Sequence, residues 1–146
     1  MIDHTCIECG ANLTMRTHKK RTRVGRYNVE DSSARVPVCT EGHAEISLDE
    51  LSEYERRAAI VVLSEAAEIG GAEIRFARKS AGLIQARLAA MLDVAPETVS
   101  RWENDHEPIS RVSRLALLSV VRDFPALERL DKAPAAAAEV LKVHAA

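Results

Sequence analysis

The stretch from Ala81 to Asn104, AGLIQARLAAMLDVAPETVSRWEN, constrains this chain more than any other part of it. Two short apolar stripes at helical spacing, parted by a brief interruption and a proline, admit little besides two helices crossing at a tight turn. In the first helix, Gln85 to Leu92, apolar residues at Ala86, Leu88, Ala89 and Leu92 form one stripe to be buried. Asp93, Val94 and Ala95 interrupt the pattern, and Pro96 stands where the second helix opens. Proline suits that position, because its missing N–H would lack a partner there anyway. The second helix runs to about Glu103, burying Val99 and Trp102 while Glu97, Thr98 and Arg101 point outward. Ala89 and Ala90 are small enough for a close crossing, and Val94 fills the turn. The unit is a helix-turn-helix.

These residues resemble the Xre/Cro-type repressors. Gln85 opening the first helix, Ala89 four residues on, the apolar turn residue Val94 and the V-S-R-W-E-N run from Val99 to Asn104 carry the likeness, which covers roughly residues 73–123. Asp93 stands where that family has glycine, and aspartate tolerates a left-handed backbone better than most residues. Ala95 stands where serine or threonine would cap the second helix, so that cap is weak. The resemblance implies DNA binding, and groove geometry assigns the parts. The helix beginning at Pro96 lies in the major groove with its first turn against base edges. Arg101 reads guanine through O6 and N7, Thr98 meets a thymine methyl, and Glu97 accepts from cytosine N4. Glu97 has two other roles open to it, as a selector against wrong bases or as a partner of the helix dipole. Gln85, at its helix start, is placed to hydrogen-bond phosphate, with Ser100, Arg87, Arg78 and Lys79 as weaker phosphate candidates. One copy reads too few base pairs for specificity. A homodimer on a palindromic double-stranded operator is expected, with half-sites about 34 Å apart.

At 146 residues the chain has room for one domain or two small ones. Its hydrophobic residues are mostly Ala, Leu and Val, with two Phe, two Tyr and one Trp, which favours helix over sheet. No run approaches the roughly 18 apolar residues of a membrane span, so no membrane partner is expected. MIDHTCIECG lacks the basic start and apolar stretch of a secretory signal. Three cysteines are an odd number for a disulfide framework, and a reduced, cytoplasmic location is expected. The net charge of −2 is not that of a general nucleic-acid binder, but local sign decides where phosphate binds. Arg16, Lys19, Lys20, Arg21, Arg23 and Arg26 form a basic block, residues 41–68 are predominantly acidic, and arginines return around the helix-turn-helix. The basic block fits nucleic acid, a solvated strand edge that resists edge-to-edge pairing, or an acidic protein partner.

Residues 1–47 form the first module. Cys6-Ile7-Glu8-Cys9-Gly10 is a C-x-x-C-G turn, whose two thiolates can grip one metal. A closed tetrahedral zinc site needs four ligands. Cys39 supplies a third, but Gly42 occupies the place of a fourth cysteine. His43 next to it offers nitrogen instead, giving a Cys6, Cys9, Cys39, His43 set, with His4 and His18 as rivals for the last place. Between the cysteines, Val24, Tyr27, Val29, Val36 and Val38, interrupted by Asp31-Ser32-Ser33, predict two or three short strands of a small sheet. So small a module has little core, and structural Zn2+ would supply most of its folding energy. A metal-free remnant and a redox pair are the other readings of C-x-x-C, the latter without the βαβ context it would need. A closed site leaves no position for substrate, and no Glu or His is placed as a base, so the chain is not expected to be an enzyme.

Ser47 with Glu50 predicts a capping box. Leu48, Leu51, Tyr54, Ala58, Val61 or Val62, and Ala66 then form an amphipathic stripe, ended by Gly70-Gly71 as a flexible joint. Residues 48–71 are thus a connecting helix and hinge, and residues 72–131 the DNA-binding domain. In that domain Glu73–Ala81 is the first helix, burying Ile74, Ala77 and Phe76. A later helix from Ser110 to Arg122 carries Val112, Leu115, Leu118 and Val121 on one face, and Pro125 starts a short helix with Leu127 and Leu130. This last pair is the expected dimer interface, with a core role for the same leucines as the alternative. Residues 132–146 form an Ala-rich tail with no assigned function.

The whole order is C-x-x-C-G, a V-P-V-C knuckle, a Leu/Glu-rich helix and an Xre-type helix-turn-helix. It resembles the MqsA-type antitoxins with their YgiT-type zinc finger, over the chain to about Leu130. The resemblance implies a mainly α protein, with a small N-terminal zinc-knuckle β module ahead of an all-α DNA-binding domain. It also implies a repressor that autoregulates its operon and binds a cognate toxin, since some members hold a ribonuclease toxin through the N-terminal domain. The alternative is a stand-alone Xre-family regulator whose zinc module is structural or sensory and which has no toxin partner.

Overall fold

The computed structural model describes residues 4–131. Its elements run β1 (Leu13–Thr17), β2 (Lys20–Val24), β3 (Tyr27–Asp31), β4 (Arg35–Cys39), α1 (Leu48–Glu65), α2 (Gly71–Ser80), α3 (Gln85–Leu92), α4 (Pro96–Glu103) and α5 (Arg111–Asp131). The protein is mainly helical, with a small β region first, as expected. The expectations for the tail at 132–146 and for the Leu130 side chain lie outside the described residues.

Four strands form where two or three were expected, in two antiparallel pairs. β1 pairs β4 from Leu13↔Cys39 to Thr17↔Arg35, and β2 pairs β3 from Lys20↔Asp31 to Val24↔Tyr27. The Asp31 carboxylate parts the two ladders, because it accepts the N–H of Ser33 at 2.8 Å and its hydroxyl at 2.6 Å. Such a local bond competes with strand pairing. At the far end of the hairpin, β2 and β3 join through Gly25-Arg26. Gly25 takes φ 57 at the first central position, where a type II′ turn needs glycine.

α1 opens with the expected capping box: Glu50 N–H donates to Ser47 Oγ at 3.2 Å, and Ser47 N–H to Glu50 Oε2 at 2.8 Å. Its buried residues fall on two adjacent stripes. Ala58 and Val62 pack against Val24 and Val29 of the hairpin, whereas Ala59 and Leu63 enter the helical core with Ile74, Leu88, Val99 and Leu117. Thus α1 is more than the expected connecting helix, since it sits between two cores. Of the expected stripe, Leu48 is exposed and Val62, not Val61, is buried.

The double glycine also differs from its expected role. α1 already ends at Glu65, and Gly70, at φ −115, leads straight into α2. Gly71 is needed for close approach, since a Cβ there would lie 2.2 Å from the Glu103 carbonyl oxygen. Arg114 covers the end of α1, donating to the carbonyls of Leu63 and Ala66 at 2.9 and 2.5 Å.

α5 turns inward a face that only partly coincides with the expected one, sharing Leu118 and Val121 with it. Leu117, Val120 and Val121 are buried and Leu118 half-buried, while Val112 and Leu115 face solvent. Both sets recur at three- and four-residue steps, so docking on α1 and α3 decides between them. Helical geometry breaks at Asp123, two residues before Pro125. Pro125 has no N–H to offer the Val121 carbonyl, and the Arg56 guanidinium donates there and to Arg122 O at 3.5 and 3.3 Å.

Candidate metal centre and nucleic-acid interface

The β1–β4 ladder builds the first site. Cys6 and Cys9 lie in the turn before β1 and Cys39 ends β4, so pairing Leu13 with Cys39 brings the two knuckles together. The Gly10 N–H donates to Cys6 O at 2.8 Å, with φ 73 at Gly10. In the second knuckle Gly42 takes φ 91, its N–H donates to Cys39 O at 3.0 Å, and the chain reverses to present His43.

The ligating atoms of Cys6, Cys9, Cys39 and His43 all lie within 4.8 Å of one another. Tetrahedral zinc, with bonds of about 2.3 Å to sulfur and 2.05 Å to nitrogen, requires edges of about 3.8 Å between sulfurs and 3.6 Å from sulfur to nitrogen. The corresponding separations are 3.7 Å from Cys9 to Cys39 and 3.7 and 3.5 Å from His43 Nδ1 to Cys6 and Cys39. Donor chemistry and spacing therefore fit Zn2+. His43 takes the fourth place, and neither His4 nor His18 joins the cluster.

Two features support the ligands from outside. His43 directs Nδ1 at the sulfurs and Nε2 at the Glu8 carboxylate, 3.5 Å away, the usual way of fixing a ligating imidazole. Burial pushes the Cys39 thiol up, but hydrogen bonds from the backbone N–H groups of His43 and Glu41 and from the Cys9 and Cys6 thiols bring it down to about 7. Thiolate is the form that ligates metal.

The second site is built by α3 and α4. Their residue ranges agree with the sequence reading, and so does the turn. Asp93 takes the left-handed conformation (φ 55, ψ 46), and Ala95 makes no side-chain cap. On α3, Leu88 and Ala89 are buried and Leu92 is half-buried, but Ala86 is exposed; Val94 packs half-buried against the core. Ala86 faces outward because the core lies on the side defined by Leu88, Ala89 and Leu92.

On α4, Val99, Trp102 and Glu103 are buried. Pro96, Glu97 and Arg101 are exposed on the other side, and Thr98 and Ser100 are half-buried beside them. Arg87 is half-buried on α3. The expected contact residues of α4 thus share one accessible surface.

Beneath that surface lies a clamp that the sequence reading missed. Glu103 receives the Arg78 guanidinium through Nε at 2.7 Å and Nη2 at 3.5 Å, and Arg78 Nη1 donates to Leu83 O at 2.8 Å. The Gln85 amide nitrogen also donates to Glu103. α2, α3 and α4 are joined at one carboxylate. Arg78, expected among the phosphate candidates, is spent in this buried pair, and Gln85 has a structural partner besides any phosphate. The available signal was a charged residue directly after a core residue in each helix, Ala77-Arg78 and Trp102-Glu103.

Residues 74–121 match the helix-turn-helix family model. The match runs from α2 into α5 and contains α3, the Asp93 turn and α4. This part of the chain is a helix-turn-helix domain. No curated protein matches the chain. Among the described residues, no helix is long and apolar enough to cross a membrane.

Proposed function

We propose that this protein is a sequence-specific DNA-binding transcriptional repressor that acts as a homodimer on a palindromic operator. The observation that carries the reading is the exposed face of α4 held over the buried Arg78–Glu103 pair. Pro96, Glu97, Thr98 and Arg101 enter the major groove, with Arg101 bidentate to guanine, Thr98 on a thymine methyl and Glu97 accepting from cytosine N4. Gln85, Arg87 and Ser100 meet the flanking phosphates. Removing Arg101 should cost about 1–3 kcal/mol of specific binding and relax preference at one position. Selection from a random duplex library, followed by titration of the winning operator, tests this. An Arg101→Ala variant with unchanged affinity and footprint overturns the docking.

Zn2+ on Cys6, Cys9, Cys39 and His43 has a structural role here, fixing the two knuckles. Val112, 77% exposed, and Leu115, 54% exposed, support dimerisation through the outer face of α5. On the MqsA-type resemblance, the repressor autoregulates an operon that also encodes a toxin, and its N-terminal module holds that toxin. Exposed Ile7 beside Glu8, Glu45 and Glu50 gives that module an apolar and acidic surface for a protein partner. Copurification of the product of an adjacent open reading frame with the tagged protein is the expected result. Its loss on Ile7→Glu would locate the contact.

A further inference from the structure

The β2–β3 hairpin lies in the N-terminal module, yet its tip is seated on the start of the DNA-binding helices. A Cβ added to Gly25 would fall 1.7 Å from Glu73 Oε2, so the turn lies directly against that carboxylate. Arg26 Nε stands 3.4 Å from Glu73 Oε1, and that same oxygen accepts the Gly70 N–H at 2.9 Å. Glu73 itself is 3% exposed. One buried carboxylate therefore holds the hairpin tip and also completes the N-terminus of α2.

The contacts continue from α2 to the end of α4. The Gly71 N–H donates to Asp105 Oδ1 at 2.7 Å, and Gly71 lies against the Glu103 carbonyl with no room for a side chain. Arg75, also on α2, reaches Glu103 O at 3.5 Å. On the other side of the hairpin, Tyr27 donates its hydroxyl to Glu68 O at 2.6 Å, in the segment leading into α2. Hairpin tip, α2 start and α4 end are thus joined by a continuous series of contacts.

We infer that Arg26 and Glu73 are positioning residues for the recognition helix, through which the N-terminal module sets the affinity of α4 for its operator. The inference rests on the DNA-binding reading above. It adds that the hairpin tip acts on DNA without touching it. Energetic coupling of this kind is reciprocal, so operator binding also tightens the seat of the hairpin. A partner that displaces the hairpin would loosen the repressor from DNA.

The test uses the full zinc-loaded chain and the operator obtained by selection. Arg26→Ala should weaken specific operator binding about five- to tenfold and leave binding to a scrambled duplex, and its salt dependence, unchanged. Arg26→Lys should restore much of the loss. Glu73→Gln, which keeps the acceptor for the Gly70 N–H but removes the charge, should weaken operator binding in the same direction. The double variant should lose no more than the worse single one. A direct phosphate contact by Arg26 gives a different pattern: a shallower salt slope in Arg26→Ala, and tighter binding in Glu73→Gln because a negative charge has gone. That pattern overturns the proposal, as does unchanged operator affinity in both variants. Amide hydrogen exchange across residues 100–106 provides a readout independent of DNA. Faster exchange there in Arg26→Ala, with the melting temperature held, supports the coupling; unaltered exchange overturns it. A wild-type protein that selects no operator would sink the DNA-binding reading alone and leave the exchange measurement to decide this one.

Discussion

Arg78→Met is the sharpest test of the clamp under α4. Arg78 is 9% exposed and Glu103 4%, so the pair is buried. Methionine keeps much of the side chain's length and apolar stem but removes every donor. Glu103 then loses contacts at 2.7 and 3.5 Å and is left with the Gln85 amide, while Leu83 O loses its donor at 2.8 Å. Breaking a buried ion pair by removing one partner costs about 3–5 kcal/mol, since a charge stays behind without its counterion. A domain of this size has a total stability of about 5–15 kcal/mol. The melting temperature should therefore fall by roughly 10–20 °C, read by circular dichroism and checked by urea unfolding. Arg78→Met/Glu103→Leu removes both charges, and replacing a buried pair by apolar groups is often neutral. The double variant should recover most of the lost stability but not the operator affinity, because Gln85 no longer has an acceptor to lock α3 against α4. A single variant that loses less than about 1 kcal/mol would refute the clamp.

Metal removal should act on part of the N-terminal module only. Native mass spectrometry should give one zinc per chain, lost in Cys39→Ser. Chelation should collapse the amide dispersion of β1 and β4 while the β2–β3 hairpin keeps its signals, because Val24 and Val29 are anchored on Ala58 and Val62 of α1. Equal loss in both strand pairs would contradict that anchoring. For Asp31, burial pushes the carboxyl up, but hydrogen bonds from the Ser33 hydroxyl, Arg57 and the Ser33 N–H outweigh it and hold the group below the usual carboxylate range. A depressed folded-state value contributes stability above the unfolded value of about 3.9, and that contribution is lost as pH falls through the folded value. Asp31→Asn should thus cost about 1 kcal/mol at neutral pH, and the gap to wild type should close below pH 4. A gap independent of pH would mean that the lost interaction is not one of charge.

Much of the local structure was legible in the residues alone. α3 and α4 have the expected ends because each signal is short-range: Pro96 opens a helix by its fixed φ, Asp93 accepts the left-handed turn, and Val99 and Trp102 leave one side to bury. The Ser47–Glu50 cap is legible for the same reason, as both partners lie within one helical turn. The cluster of Cys6, Cys9, Cys39 and His43 needed one long-range step, the pairing of β1 with β4. The choice of His43 over Gly42 still followed from chemistry, since glycine has no donor atom and frees the backbone to deliver its neighbour.

Where two faces of one helix were both plausible, periodicity had nothing further to say. α5 carries Val112, Leu115, Leu118 and Val121 on one stripe with Leu117 and Val120 beside it, and only contact with α1 and α3 turns Leu117, Val120 and Val121 inward and leaves Val112 and Leu115 in solvent. The sequence of α1 predicts a connector because it shows amphipathicity but not that its two stripes enter different cores. Gly70-Gly71 illustrates the same limit: glycine signals either freedom or close approach, and the Glu103 carbonyl 2.2 Å from an added Cβ decides for approach. Arg78 and Glu103, 25 residues apart, appear in the sequence as ordinary helix-surface charges. They become a buried pair because three helices converge on the space between them, and the burial of a charge depends on what surrounds it rather than on the residue that carries it.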